Sequence, residues 1–300
     1  MNFLKSTAFL AIIACILWST AFTGIKIGLH YTPPLQFAGL RFFLAGLLLI
    51  PFVKQLPLKL RIARAHWKLI ALVGLLQITI EYGLFYTGLN MVSGALGAMI
   101  VGSGPVFVTL VAHFSMQNDR LSTRKIISIF LGLVGVVIIT LGQKELSTEG
   151  NFILIGILLL ILNNIISGMG NVLVSKSAST IPPLILSSFS MIFGGATLFL
   201  FALPIEGFNP KPVPLEYWMA LGWLSFLSAT AITIWYTLLN RPGVKVSNLN
   251  MWKFIIPVVG ALLSWTILPG ESANIASVVG MLVIAASILV LTINTKGSKG

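Results

Sequence analysis

Residues 26–51 read KIGLHYTPPLQFAGLRFFLAGLLLIP, and residues 176–200 read KSASTIPPLILSSFSMIFGGATLFL. In each, a lysine is followed by Pro-Pro-Leu and then by an apolar run, over 35–53 in the first stretch and 184–203 in the second. At about 1.5 Å per residue such a run crosses a hydrocarbon core of about 30 Å as a helix. The pattern therefore points to spanning helices, and its repetition points to a duplicated chain.

Working outward, the duplication extends further. Tyr86-Thr87-Gly88-Leu89-Asn90 answers to Tyr236-Thr237-Leu238-Leu239-Asn240. Pro105 is followed fourteen residues on by Asp119, and Pro257 fourteen residues on by Glu271. All these correspondences run in the same order at offsets of 149 to 152. They divide the chain into units 1–145 and 146–300. Hydropathy places helices at 7–26, 35–53, 67–90, 94–115, 125–142, 152–174, 184–203, 215–239, 247–268 and 274–293, five per unit. An odd number forces the second copy to enter the membrane from the opposite side. The expected fold is all-α, ten transmembrane helices as two inverted five-helix repeats. Inverted repeats suit secondary transporters, whose halves exchange conformations about a central site. Duplication also occurs in channels and membrane enzymes.

Composition agrees. The 300 residues are 57% hydrophobic and 9% charged, against about 25% charged in soluble chains. The N-terminal lysine and apolar run resemble a signal peptide, but the run is too long and no small-residue cleavage site follows, so a retained span is expected. The net charge of +12 sits in short loops rather than on an aromatic and basic face, which favours anionic lipid headgroups over nucleic acid. One cysteine, Cys15, leaves no disulfide or Cys-based metal site within a chain. With the N-terminus inside, the inner segments hold thirteen lysines and arginines and the outer loops three, Lys26, Lys144 and Lys211. This asymmetry places both termini in the cytoplasm, in a cell or inner membrane.

The stretches 35–51 and 86–105, the repeat counterpart ending at Pro257, and Asp119-Arg120-Leu121-Ser122 leading into Gly132-Leu133-Val134-Gly135-Val136 resemble the EamA family of the drug/metabolite transporter superfamily. The resemblance covers nearly the whole chain, one family domain per half. It implies a ten-helix inverted-repeat fold, a central cavity, and export of amino acids or related metabolites. Where the family commonly has glutamate after the fourth helix, this chain has Asp119. In the second half Ser190 stands for Arg41, and Ile284 and Ser287 stand for Gly132 and Gly135. Neither helix 1 nor helix 6 carries the buried glutamate of the smaller multidrug relatives, which argues against efflux of lipophilic cations by that mechanism.

Ionisable side chains deep in a bilayer are costly and need a partner, a cavity or an escape to the interface. Arg41, Glu81 and Lys253 qualify. Arg41 and Glu81 lie at similar depths, so an ion pair is expected, with a substrate amine as Glu81's alternative partner. Lys253 follows Trp252 and comes four residues before Pro257, a place suited to holding a carboxylate; snorkelling to the interface is the alternative. Pro105, preceded by Gly102-Ser103-Gly104, and Pro257 break helices 4 and 9 and free the carbonyls of Val101 and Lys253. Asn163 and Asn164 lie at the centre of helix 6, facing other helices or the cavity. Trp18, Tyr82 and Trp252 are the aromatics assigned to the cavity, while Phe85, Tyr86, Trp223, Trp235 and Tyr236 fit an interfacial belt equally well. His113 is expected at the interface, and Gly24, Gly28, Gly94, Gly132 and Gly135 at close helix contacts.

With three histidines, one cysteine and no paired acids within the spans, no enzyme constellation is recognisable. No P-loop occurs, and neither a cofactor nor a metal is implied. The expected partners are a small-molecule substrate and membrane lipids. Proton or sodium coupling, monomer or homodimer, and drug efflux, channel or receptor roles stay open.

Overall fold

The computed structural model describes residues 6–92, 97, 100–141, 153–208, 212–267 and 275–292. Regular structure among them is helical: α1 Thr7–Ser19, α2 Ala21–Leu29, α3 Pro34–Leu49, α4 Leu56–Ala65, α5 Trp67–Gly74, α6 Glu81–Leu89, α7 Gly104–Ser115, α8 Thr123–Leu141, α9 Ile153–Lys176, α10 Pro183–Glu206, α11 Leu215–Leu239, α12 Val246–Met251, α13 Ile255–Ile267 and α14 Ile275–Thr292. A π-helical turn, Leu75–Ile80, joins α5 to α6, and a 3₁₀ turn, Trp252–Phe254, joins α12 to α13. Among the described residues, five continuous rods are long and apolar enough to cross a membrane: Pro34–Phe52, Trp67–Leu89, Ile153–Lys176, Pro183–Glu206 and Leu215–Leu239. Thr7–Ser19, Ile100–Ser115 and Val278–Leu291 are shorter apolar helices. Gly94, Lys144, Lys211, Glu271 and both chain ends lie outside the described residues.

The helices start and stop where local chemistry directs. Ser6 caps α1 by accepting from Phe9 N at 3.1 Å, and such caps are worth about 1 kcal/mol. Pro34 and Pro183 open α3 and α10, where a missing N–H is no loss. At the N-terminus of α3, the carboxylate of Glu206, the last residue of α10, accepts from Leu35 N at 2.8 Å and Gln36 N at 3.0 Å. It supplies the negative group that a helix N-terminus favours. The first span differs from the expected single helix 7–26: it breaks at Thr20, whose Oγ1 donates to Leu17 O at 2.7 Å, and α2 runs on to Leu29. Residues 54–66, expected as a loop, fold into α4 behind a left-handed Gln55 (φ 55°). Lys59, Arg61 and Arg64 make it too polar to span. With Leu58 and Leu60 also exposed, it suits the membrane interface, where a helix satisfies its own backbone.

Small residues set the closest helix crossings. A Cβ on Gly46 would lie 2.6 Å from Ser188 O, and one on Gly195 would lie 2.8 Å from Gly39 O, so α3 and α10 touch backbone to backbone. The α8–α14 pair does the same, with a Cβ on Gly280 falling 2.7 Å from Gly135 O. Ser128 and Ser287 donate to each other's carbonyls across that crossing, at 2.9 and 2.7 Å. Gly24, Gly28 and Gly132 face Leu224, Phe37 and Phe254 at similarly short range. Between these two pairs, α9 packs on α6 and α7, and α1 packs on α11 and α13. Their meeting point holds the site.

Candidate functional site

A partly open cavity of about 40 Å³ lies where α1, the α5–α6 rod, α9, α11 and the 3₁₀ turn converge. It is lined by Trp18, Gln77, Glu81, Tyr82, Ser167, Asn171, Ile232, Trp235, Tyr236 and Lys253. That volume holds only a few waters.

The π-helical turn delivers the acid. Such turns are rare and are frequently found at functional sites. Here the turn carries Gln77 and ends at Glu81, and Gln77 Nε2 donates to Glu81 Oε2 at 2.6 Å while approaching Ser167 O at 3.4 Å. The amide fits because α9 has Gly170 opposite it; a Cβ there would stand 2.3 Å from Nε2.

Lys253 reaches the cavity from the 3₁₀ turn. Its Nζ lies 5.5 Å from the Trp18 ring centroid and 5.0 Å from that of Trp235, and the two indoles meet edge to face at 5.0 Å. Aromatic faces stabilise an ammonium through their quadrupoles, by about 2 kcal/mol where water is excluded. Trp235 is fixed by its Nε1 donating to Asn171 Oδ1 at 2.8 Å, and Asn171 Nδ2 in turn donates to Ser167 O at 2.7 Å. The cavity thus holds one acid and one base on opposite halves of the chain, with no direct ion pair between them among the described residues.

Arg41 stands outside this wall. Its Nε donates to Ser228 Oγ at 2.8 Å, and its guanidinium lies 4.7 Å from the Phe42 ring and 5.9 Å from that of Tyr82. The expected Arg41–Glu81 pair does not form: matched depth on adjacent helices does not fix azimuth, and the two side chains leave their helices toward different neighbours.

Both helix breaks are present, shifted from the expected mid-helix kinks. Pro105 and Pro257 occupy the first turns of α7 and α13, and the irregularity lies just before them, at Ser103 and at Trp252–Phe254. Neighbouring spans serve the exposed carbonyls. Asn164 Nδ2, from α9, donates to Ile100 O at 2.7 Å, and Ser103 Oγ of the break itself donates to the same carbonyl at 2.6 Å. Across the molecule, Cys15 Sγ lies 3.4 Å from Trp252 O, and Ser19 Oγ donates to Ile256 O at 3.2 Å. Gly104 is needed beside Asn164, whose Oδ1 would stand 3.2 Å from a Cβ there, and Gly102 faces Val136 at 2.8 Å. Asn164 is therefore a helix-break partner. Neither it, nor Asn163, nor Trp252 lines the cavity.

Of the residues singled out from sequence, Trp18, Glu81, Tyr82 and Lys253 come together in the lining. Gln77, Ser167, Asn171 and Ile232 were missed, and Trp235 and Tyr236 had been left between belt and cavity. Gln77 lies four residues before Glu81 and Ser167 four before Asn171, so each polar pair shares a helix face, a signal that was readable. His113 accepts from Leu121 N at 3.1 Å and so anchors the turn after α7. In that turn the Asp119 carboxylate receives Lys125 Nζ, Ser247 N at 2.8 Å and Ser247 Oγ, tying the first half to the start of α12.

Comparison with known proteins agrees with this architecture. The model of the EamA-like transporter family matches residues 5–141 and again 154–293. The chain is 27% identical to the uncharacterized transporter YoaV of Bacillus subtilis, over 92% of this chain and 93% of that one. It is likewise 27% identical to a probable amino-acid metabolite efflux pump of Salmonella typhimurium, over 95% and 94%. It is 26% identical to the uncharacterized inner membrane transporter YedA of Escherichia coli K12, over 93% and 88%. A solved crystal structure superposes with a TM-score of 0.78 over 95% of each chain at 19% identity, a likeness of fold. With two family matches covering nearly its whole length and apolar rods of spanning length, this multi-pass membrane protein belongs to the EamA-like transporter family.

Proposed function

We propose that the chain is a ten-helix secondary transporter that moves a small zwitterionic or anionic metabolite, such as an amino acid, out of the cell by alternating access, with both termini cytoplasmic. The observation that carries this reading is the cavity between the halves, in which Glu81 and Lys253 present opposite charges. A substrate ammonium suits Glu81 and a substrate carboxylate suits Lys253, while Trp18, Tyr82 and Trp235 supply apolar walls. The printed name of the Salmonella relative points the same way. The thirteen-to-three distribution of basic residues supports the orientation.

The inverted repeat is supported by contacts that recur with partners exchanged. Cys15 and Asn164 are 149 residues apart, Ile100 and Trp252 are 152 apart, and Cys15 meets Trp252 O as Asn164 meets Ile100 O. Gly39 and Ser188 are 149 apart, as are Gly46 and Gly195, and Gly46 meets Ser188 as Gly195 meets Gly39. Contacts of this kind are what a pseudo-twofold axis between two copies produces. The cavity is too small for an amino acid, so substrate binding requires its walls to part.

The test is counterflow. Proteoliposomes preloaded with unlabelled L-amino acids should show transient overshoot of a radiolabelled L-amino-acid mixture added outside. Organic acids form a second panel. Absence of counterflow in both panels refutes the transport reading of the site.

A further inference from the structure

We propose that an open crevice between the C-terminal end of α3 and the N-terminal end of α10 binds the phosphate of an anionic phospholipid through Lys54 and Lys59. The crevice has a volume of about 250 Å³ and is lined by these two lysines, by Phe52 and Val53, and on the α10 side by Pro182 and Leu184. It shares no lining residue with the central cavity and stands independently of the transport reading.

The charge around it is of one sign. Residues 54–66 contain Lys54, Lys59, Arg61 and Arg64 and no acid. Among the described residues, no carboxylate pairs with either lysine of the crevice. A cluster of this kind at a membrane surface attracts anionic headgroups. In the proposed orientation the surface is that of the inner leaflet.

The repeat shows what this place takes in the other copy. Leu35 and Gln36 at the start of α3 answer, 149 residues on, to Leu184 and Ile185 at the start of α10. The amides of Leu35 and Gln36 donate to the Glu206 carboxylate. Pro57 stands 149 residues before Glu206, so the chain supplies no acid at the start of α10. There Pro182 O takes both Ile185 N and Leu186 N, at 3.0 Å each, and Leu184 lines the crevice. One copy thus carries its own anionic group, whereas the other presents two ammonium groups beside a helix N-terminus, an arrangement that suits a phosphate from outside.

The apolar surroundings select a lipid over a soluble anion. Phe52 is 71% exposed, and Leu48, one turn earlier on α3, is also exposed, so acyl chains can lie along this rod below the headgroup. Leu58 and Leu60 of the interfacial α4 flank the same level. A phosphate held by Lys54 and Lys59 against α10 would tie the first half to the second.

The experiment is native mass spectrometry of the full chain released from detergent, titrated with phosphatidylglycerol, phosphatidylcholine or soluble glycerol phosphate. The wild type should retain one phosphatidylglycerol, with phosphatidylcholine weaker by about tenfold or more, the scale of one hydrogen bond to a charged group. The double variant Lys54→Gln/Lys59→Gln should lose that preference. Arg61→Gln/Arg64→Gln removes the same charge from α4 without touching the lining and should keep it. Equal retention of the two lipids overturns the proposal. Equal losses in the two double variants also do so, because they mark diffuse attraction. Glycerol phosphate bound as tightly as phosphatidylglycerol overturns the lipid as the ligand. Should the lysine variant fail to fold, photoactivatable phosphatidylglycerol on the wild type decides: crosslinks in 52–59 and 182–185 support the site, and crosslinks only elsewhere refute it.

Discussion

Replacing Asp119 by alanine should be among the most destabilising single changes in the chain. The carboxylate is fully buried and receives Lys125 Nζ at 2.5 Å, Ser247 N at 2.8 Å and Ser247 Oγ. Removing it leaves the buried Lys125 ammonium with Arg120 O at 2.8 Å as its remaining partner. Breaking a buried pair on one side costs about 3–5 kcal/mol, and the retained carbonyl bond puts this case near the lower end. The lost contact at the start of α12 adds about 1 kcal/mol. A total of about 4 kcal/mol corresponds to a fall in melting temperature of about 8 °C or more on the scale of soluble chains. Lys125→Met should cost less, because Ser247 still satisfies the carboxylate. The double variant should be more stable than Asp119→Ala alone, since no charge is then stranded. Cys15, the chain's single cysteine, is buried, so its reaction with a thiol-reactive dye in detergent reports unfolding directly. A melting temperature for Asp119→Ala within about 1 °C of wild type, or strictly additive losses in the double variant, would refute the reasoning. Counterflow should fall as well, because α12 leads straight into the turn that carries Lys253.

Lys253→Gln should raise the apparent KM for a carboxylate substrate at unchanged protein abundance, and Lys253→Arg should rescue only partly, because the planar guanidinium does not reproduce an ammonium between two indoles; wild-type kinetics in the Gln variant would remove Lys253 from substrate binding. A double-mutant cycle on Arg41 and Glu81 should give a coupling energy below about 0.5 kcal/mol, as for separated sites, and a value above about 1.5 kcal/mol would restore the ion pair. Gly280→Val should destabilise by about 1–3 kcal/mol through overpacking, since its Cβ would fall 2.7 Å from Gly135 O; an unchanged melting temperature would show that α8 and α14 separate freely. Cysteines at exposed Gly207 and Arg61 should be labelled by an impermeant thiol reagent from outside and inside respectively, and labelling of Arg61→Cys in intact cells would invert the proposed orientation.

Part of the candidate site was legible in the chain because burying charge in lipid is expensive wherever it occurs. Glu81 and Lys253 stood out on that ground, and both line the cavity. Arg41 stood out equally and does not. Hydropathy measures depth along a span, whereas partnership depends on rotation about it, and no local term in the sequence reports that angle. Asn164 illustrates the same gap: its amide had to meet something polar, and the choice between ligand and helix break was made by the break at Ser103, just before α7. The residues missed, Gln77 and Asn171 above all, are neutral, so no penalty large enough to draw notice attached to them.

Taken alone, the sequence determined that this chain lives in a membrane, that apolar rods cross it, and that one half echoes the other. Each of these follows from local free energies, the transfer of side chains into hydrocarbon and the obligation of every backbone group there to bond within its own helix. The tertiary structure alone decided which faces meet. The glycines and serines of α3, α10, α8 and α14 let backbones approach to contact, and that approach sets the rotation of every helix between them. It brings an acid from the first half and a base from the second to one small cavity while leaving Arg41 behind its wall. Side chains hundreds of residues apart have no local energy in common, so their meeting is fixed only when the packing is complete.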